Sequence, residues 1–169
     1  MLFRSDLIDS AHTDDGELAV GSMDDVALIV TGKTFDECHD KIRRFMDRLG
    51  GGMDWSRTHN SAFSLDKFAL LNCKRRAKKI GLGPALHLSD GTVITPTDHH
   101  RFLGVLVDQS LTYKQHVASV YAKGTRLVGL LRRLTTARNG LTLMVVRQLY
   151  LSVVVPSVLY AADVFLTPI

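Results

Sequence analysis

The chain has 169 residues, 46% hydrophobic and 22% charged, with a mean hydropathy of +0.08, enough apolar material for one domain, or a domain and a fragment. Its two cysteines, Cys38 and Cys73, lack metal-ligand spacing and exclude a disulfide framework, which fits a reduced, intracellular protein. Charge is unevenly placed: one basic residue, Arg4, and seven acids lie in residues 1–30, and the other 20 basic and 10 acidic residues follow, leaving a basic remainder able to meet an anionic polymer, although solvated helix faces would give the same composition.

Residues 1–16 read as polar and irregular, with Arg4, Asp6 and Asp9 interrupting any apolar leader and Thr13-Asp14-Asp15-Gly16 marking a turn. Glu17-Leu18-Ala19-Val20 then leads into Gly21-Ser22-Met23-Asp24-Asp25, and Val26 to Val30 reads as a strand buried on both faces. Two short strands flanking Asp24-Asp25 would form a hairpin with the carboxylates at its tip. Thr34 and Glu37 make a capping box for a helix whose apolar stripe is Phe35, Cys38, Ile42, Phe45, Met46 and Leu49; Gly50-Gly51-Gly52 ends it.

After Trp55, Lys67 to Cys73 reads as a strand, followed by the basic cluster Lys74 to Lys79. Leu86 and Val93-Ile94 flank Ser89-Asp90-Gly91, a hairpin signature, and Arg101 to Val107 reads as another strand with Gly104 inside it. A second capping box, Thr112 and Gln115, opens a helix striped by Val117, Val120, Tyr121, Leu127, Val128, Leu131 and Leu134. Leu141 to Val155 is a mostly apolar helix ended by Pro156, too short between Arg147 and Asp163 for a membrane span. The layout is α+β: antiparallel hairpins and a helix, then a helical C-terminal third.

Two adjacent aspartates at a hairpin tip suit a hard divalent cation, because carboxylate oxygens bind Mg²⁺ while substrate phosphates complete its shell. A plain acidic turn uses the same residues. The tandem pair His99-His100 and His116 read as surface or hydrogen-bonded histidines rather than metal ligands.

In order along the chain, these segments resemble the palm and thumb of reverse transcriptases, specifically the RNA-directed DNA polymerases of non-LTR, LINE-like retrotransposons in their fungal form. Gly21 to Val30 is similar to the family's x-D-D catalytic hairpin, with Ser22 where the family has an aromatic. The Thr34 to Leu49 helix with Trp55, Asn60 and Lys67 resembles its next motif, His100 to Asp108 its primer-grip hairpin, Leu111 to His116 the start of the thumb, and Pro156 to Asp163 a segment beyond it. The resemblance implies a partial palm over residues 17–108, a thumb-like region over 109–169 and an N-terminal remnant over 1–16.

It also implies roles. Asp24 and Asp25 would be catalytic, metal-binding residues for Mg²⁺ or Mn²⁺ once the site is completed, and Lys67 would lie near the triphosphate. Phe102, Leu103 and Gly104 would hold the primer end, and Lys114, Lys123, Arg126, Arg132 and Arg133 would contact nucleic-acid backbone. The implied partners are an RNA template, a DNA primer and deoxynucleoside triphosphates, with no membrane. No upstream strand bearing the family's first catalytic aspartate is found, so the expectation is a polymerase fragment, inactive by itself. A non-catalytic nucleic-acid-binding remnant using the basic helices and a plain helical interaction module are the alternatives, and an uncovered sheet edge or face would favour self-association.

Overall fold

The computed structural model describes residues 5–22, 25–74, 81–135 and 140–166. Most of the Lys74 to Lys79 cluster, Asn139 and Asp24 itself lie outside those residues. The fold is α+β, as expected: small antiparallel hairpins and helices, then a helical segment. It divides into two units, residues 1–104 with 108–111, and residues 105–107 with 112–169.

The first unit begins with a short helix, α1 (Ser5–Asp9), within the stretch expected to be irregular. Strands β1 (Glu17–Ser22) and β2 (Asp25–Val30) follow as an antiparallel hairpin whose register runs from Glu17–Val30 to Ser22–Asp25. Directly opposed residues share a face, so Glu17, Ala19, Gly21, Val26, Leu28 and Val30 face one way. Glu17 and Ala19 are buried on this side, and Val26 and Leu28 pack on the core cluster of Leu7, Phe45 and Trp55. Gly21 admits α1 closely: a Cβ there would come within 2.7 Å of the Ile8 side chain.

The other face carries Leu18, Val20, Ala27 and Ile29. Leu18 is 49% and Ile29 50% exposed. The expected burial of Val26 to Val30 on both faces is therefore corrected: β1 and β2 form a two-stranded sheet, and the alternation of the pleat gives the core only every second side chain.

Helix α2 (Phe35–Asp47) starts as its sequence dictates. Thr34 Oγ1 accepts from the Glu37 N–H at 3.2 Å, and the Glu37 carboxylate reaches back to the Lys33 N–H at 2.8 Å. Phe45 and the unexpected His39 are buried along it, while Leu49, beyond the helix end, is 90% exposed. Met46 packs against both core clusters of this unit, that of Leu7, Phe45 and Trp55 and that of Leu70, Leu86 and Leu88. Burying side chains of this kind stabilises by about 1.5–3 kcal/mol each.

The triple glycine does more than terminate α2. Gly50 takes a left-handed φ of 72°, and a Cβ on Gly51 would stand 2.0 Å from the Phe45 carbonyl oxygen. That close approach lets the chain reverse straight into α3 (Gly52–Thr58), which places Trp55 in the core with its ring stacked on His59.

Lys67 to Cys73 is not a regular strand. Leu65–Lys67 is a single 3₁₀ turn, and Leu70 makes an isolated parallel bridge to Pro96. The buried Asn72 amide explains the irregularity: it donates to the carbonyls of Leu82 and Pro84, and its oxygen meets His39 Nε2 at 3.1 Å. These side-chain bonds pin the segment where ladder bonds would otherwise do so. Strands β3 (Leu86–His87) and β4 (Val93–Ile94) form the expected hairpin.

Arg101 to Val107 is likewise corrected, from one strand to two: β5 (His99–Phe102) and β6 (Val105–Asp108), which form a two-stranded sheet. Leu103 and Gly104 between them have φ values of 46° and 83°, and successive positive φ values are what a tight two-residue hairpin turn needs.

In the second unit, α4 (Lys114–Leu134) is a 21-residue helix. Tyr113, in a left-handed conformation, stands at its N-cap, one residue after the expected Thr112. His116, Val120, Gly124, Leu127 and Leu131 form its covered stripe. Helix α5 (Leu143–Leu149), capped by Thr142, continues through a π-helical turn at Tyr150–Val154 into α6 (Val155–Leu159). Pro156 therefore does not end this helix. It has no N–H to donate and its ring crowds the carbonyl four residues back, and the wider π turn ahead of it relieves that conflict. Helix α7 (Ala162–Phe165) closes the described chain. Among the described residues no helix is long and apolar enough to cross a membrane.

Candidate functional site

The β1–β2 register closes on the Ser22–Asp25 pair, so two residues, Met23 and Asp24, lie between the strands. Asp25 is exposed on the outer face of the hairpin. The side chain of its neighbour Asp24 belongs to the residues not described. A two-metal site holds its ions with several oxygen ligands, and among the described residues no group of three or more His, Cys, Asp or Glu could hold a metal ion. Asp25 is thus the one described member of an incomplete donor set, and the described residues do not fit the implied metal.

The open end of this hairpin carries a polar network whose residues have no assigned role in the sequence reading. Glu17, 4% exposed, accepts from Arg48 at 2.8 Å and from the His12 N–H at 3.0 Å. Arg48 also donates to the Ser10 carbonyl, and its guanidinium lies 4.9 Å from the Phe45 ring centroid. Burial pushes the Glu17 carboxyl up, but the His12 N–H bond and the bond and charge of Arg48 together outweigh it and hold the carboxyl below its ordinary range. Beside them Lys41 Nζ donates to the carbonyls of Asp15 and Thr31, each at 2.8 Å, and pairs with Glu37 at 3.4 Å. The Thr31 N–H donates to Gly16 at 2.9 Å. Lys41 and Arg48 are seven residues apart, hence on one side of a helix. That spacing, opposite an acid at a strand start, is the signal that could have revealed them.

A shallow cleft of about 790 Å³ runs beside this network, lined by His12, Asp15, Glu17, Arg44, Arg48 and neighbouring side chains. Four acids and three arginines line it, so it has no single-sign field to select an anion or a cation.

The other expected residues are placed as follows. Lys67 is exposed at the end of its 3₁₀ turn, and among the described residues no hydrogen bond or ion pair joins it to Asp25. Phe102 is half-buried, Leu103 is 38% exposed, and Gly104 completes the tip between β5 and β6. On α4, Lys114, Lys123, Arg126, Arg132 and Arg133 are all exposed, and the helix contains no acid. His99 Nδ1 lies 2.6 Å from Asp98, whereas His116 is buried and accepts from the Leu106 N–H at 3.2 Å. Both cysteines are free, and partial burial pushes both thiols up, helped by Glu37 at Cys38 and by Asp108 at Cys73. Neither is therefore primed as a thiolate nucleophile.

Over 152 residues the chain is 24% identical to the "RNA-directed DNA polymerase from mobile element jockey" of Drosophila funebris, covering 89% of this chain and 16% of that protein. The likeness is to reverse transcriptases. The polymerase of the same name from Drosophila melanogaster is 22% identical over 142 residues, covering 84% of this chain and 15% of its own length. The chain thus spans about a sixth of the relatives it matches. Their similarity supports a LINE-like reverse transcriptase. Both come from Drosophila, so the fungal form expected from the sequence has no support. No family model matches the chain, and no solved structure does.

Proposed function

We propose that these residues form the catalytic-hairpin and thumb portion of an RNA-directed DNA polymerase, with residues 17–108 as partial palm and 109–169 as thumb-like region. The observation that carries the reading is the similarity to mobile-element polymerases over nearly nine-tenths of the chain. The antiparallel β1–β2 register, which ends on the Ser22–Asp25 pair, supports it.

In this reading Asp24 and Asp25 supply carboxylates to a Mg²⁺ or Mn²⁺ site whose other ligands come from further residues of a longer polypeptide. Lys67 serves the triphosphate, and Phe102, Leu103 and Gly104 the primer end. An RNA template, a DNA primer and deoxynucleoside triphosphates are the partners. Because the described residues bring no further carboxylates to Asp25, the 169 residues alone should not polymerise. The exposed outer face of the β1–β2 hairpin, Leu18, Val20 and Ile29, is proposed as a self-association surface of the isolated chain.

The purified chain should bind a primer–template with a salt-dependent affinity and give no Mg²⁺-dependent primer extension. Extension by the 169 residues would overturn the incomplete-site reading. Absence of binding at low salt would overturn the polymerase reading of α4. Binding that is unchanged in Asp24→Asn and Asp25→Asn, with Mn²⁺ uptake equally unchanged, would favour a second reading, nucleic-acid binding without catalysis. The five exposed cations on an acid-free helix favour that second reading too.

A further inference from the structure

The cations of α4 do not form one patch. At 100° per residue, Lys114, Tyr121, Thr125 and Arg132 fall within about 20° of one line along the helix, whereas Lys123, Arg126 and Arg133 lie roughly 100–180° further round. The covered stripe of His116, Val120, Gly124, Leu127 and Leu131 separates the two on one side. The first line has a distinctive centre: Tyr121 is 75% exposed, the most exposed aromatic of the described chain. Val117 and Val128, 44% and 40% exposed, flank it. Lys114 lies about 10.5 Å to one side and Arg132 about 16.5 Å to the other, at 1.5 Å rise per residue.

We infer that this face of α4 is a binding track for single-stranded nucleic acid, in which Tyr121 stacks on an unpaired base while Lys114 and Arg132 contact backbone phosphates on either side. The inference rests on the nucleic-acid reading above and adds to it a strand state and a stacking residue. Charge complementarity selects the occupant: the helix carries five cations and no acid, so an anionic polymer is attracted along its whole length. The aromatic selects the form of that polymer. A flat ring standing clear of its helix offers an exposed face to a base, and bases inside a duplex have no free face to give it. The track thereby differs from the Lys123, Arg126 and Arg133 flank, which has cations and no exposed aromatic and can serve duplex phosphates equally well.

The test is fluorescence anisotropy on the 169-residue chain with a labelled 12-nucleotide single strand, in ribo and deoxyribo form, and a duplex of the same length, each over a range of salt. Tyr121→Ala should weaken single-strand binding about tenfold, leave the slope of log affinity against log salt unchanged, and leave duplex binding unchanged. Tyr121→Phe should retain the affinity, because stacking needs the ring and not the hydroxyl. Lys114→Ala with Arg132→Ala should lower the single-strand salt slope by about 1.4, two phosphates' worth. Tyr121 is on the surface, so its variants should keep the parent circular dichroism. Equal single-strand affinity in Tyr121→Ala, an equal loss for duplex and single strand, or a loss in Tyr121→Phe as large as in Tyr121→Ala would each overturn the stacking track while leaving nucleic-acid binding by α4 intact. No binding of either form by the parent chain would overturn both.

Discussion

At the scale of single residues, the described polar chemistry of the hairpin lies at its foot. Arg48 gathers Glu17, the Ser10 carbonyl and His12 around one guanidinium, and Glu17 is nearly fully buried beneath it. Removing either partner leaves a buried polar or charged group without compensation. Glu17→Gln and Arg48→Ala should therefore each destabilise the first unit by about 2–3 kcal/mol, below the upper end for buried pairs because Arg48 keeps some contact with water. The pH dependence has a definite sign. The Glu17 carboxyl is held below its ordinary range, so its contribution is fully present above about pH 4.3, the ordinary glutamate value, and is lost as pH falls through the depressed folded-state value. Urea unfolding at pH 7 and at progressively lower pH would check this. The gap between parent and Glu17→Gln should narrow only in acid, and a gap that instead narrows as pH rises from 5 to 7 would contradict the assignment.

At the scale of elements, the parts legible in the sequence are those fixed by local chemistry. The α2 capping box, the stripe through Phe45 and the Ser89-Asp90-Gly91 turn each depend on residues within one or two turns of each other, and each is present. Two of the expectations that went astray depend on long-range partners. Whether β2 is covered on one face or two is decided by what packs on the hairpin. Whether Lys67 to Cys73 enters a ladder is decided by Asn72 binding carbonyls ten and twelve residues on. The Glu17–Arg48 pair spans 31 residues, and its one trace in the sequence is the seven-residue spacing of Lys41 and Arg48. Within the candidate site, the Asp-Asp pair and the α4 cations stood out from the sequence, but the separation of those cations into two flanks emerges only when the helix is wound. The hairpin also carries a prediction. Its outer face presents Leu18, Val20 and Ile29 to water, and neither strand has a charge or proline between Leu18 and Gly21 or between Val26 and Val30 to discourage pairing. The isolated chain should self-associate with rising concentration. Leu18→Lys with Ile29→Lys should reduce the weight-average mass seen by light scattering without loss of secondary structure, whereas an unchanged mass would place the contact elsewhere.

At the scale of the whole molecule, apolar burial is unequally shared. Of the nine buried apolar residues among those described, only Val105 and Val154 belong to the second unit; Leu7, Ala19, Phe45, Trp55, Leu70, Leu86 and Leu88 belong to the first. The second unit leaves Leu143 at 84% and Met144 at 80% exposure. Local opening free energy follows buried apolar contact, so amides of α4 and α5 should exchange with solvent faster than those of α2 and the β1–β2 hairpin. The net positive charge of the chain lies where that stability is low, since the second unit holds seven basic residues and one acid, and binding there has a thermodynamic consequence. A ligand that binds only the closed form adds about 2.7 kcal/mol to opening when present at a hundred times its dissociation constant. A saturating single-stranded oligonucleotide should thus slow exchange along α4 by up to about a hundredfold and leave α2 nearly unchanged. Hydrogen exchange read by mass spectrometry with and without the oligonucleotide separates the outcomes. Protection confined to α4 and α5 fits a nucleic-acid-binding helix that is ordered by its ligand, and protection of the β1–β2 hairpin with α4 unaffected would move the binding surface to the acidic end of the chain, against the charge distribution on which the reading depends.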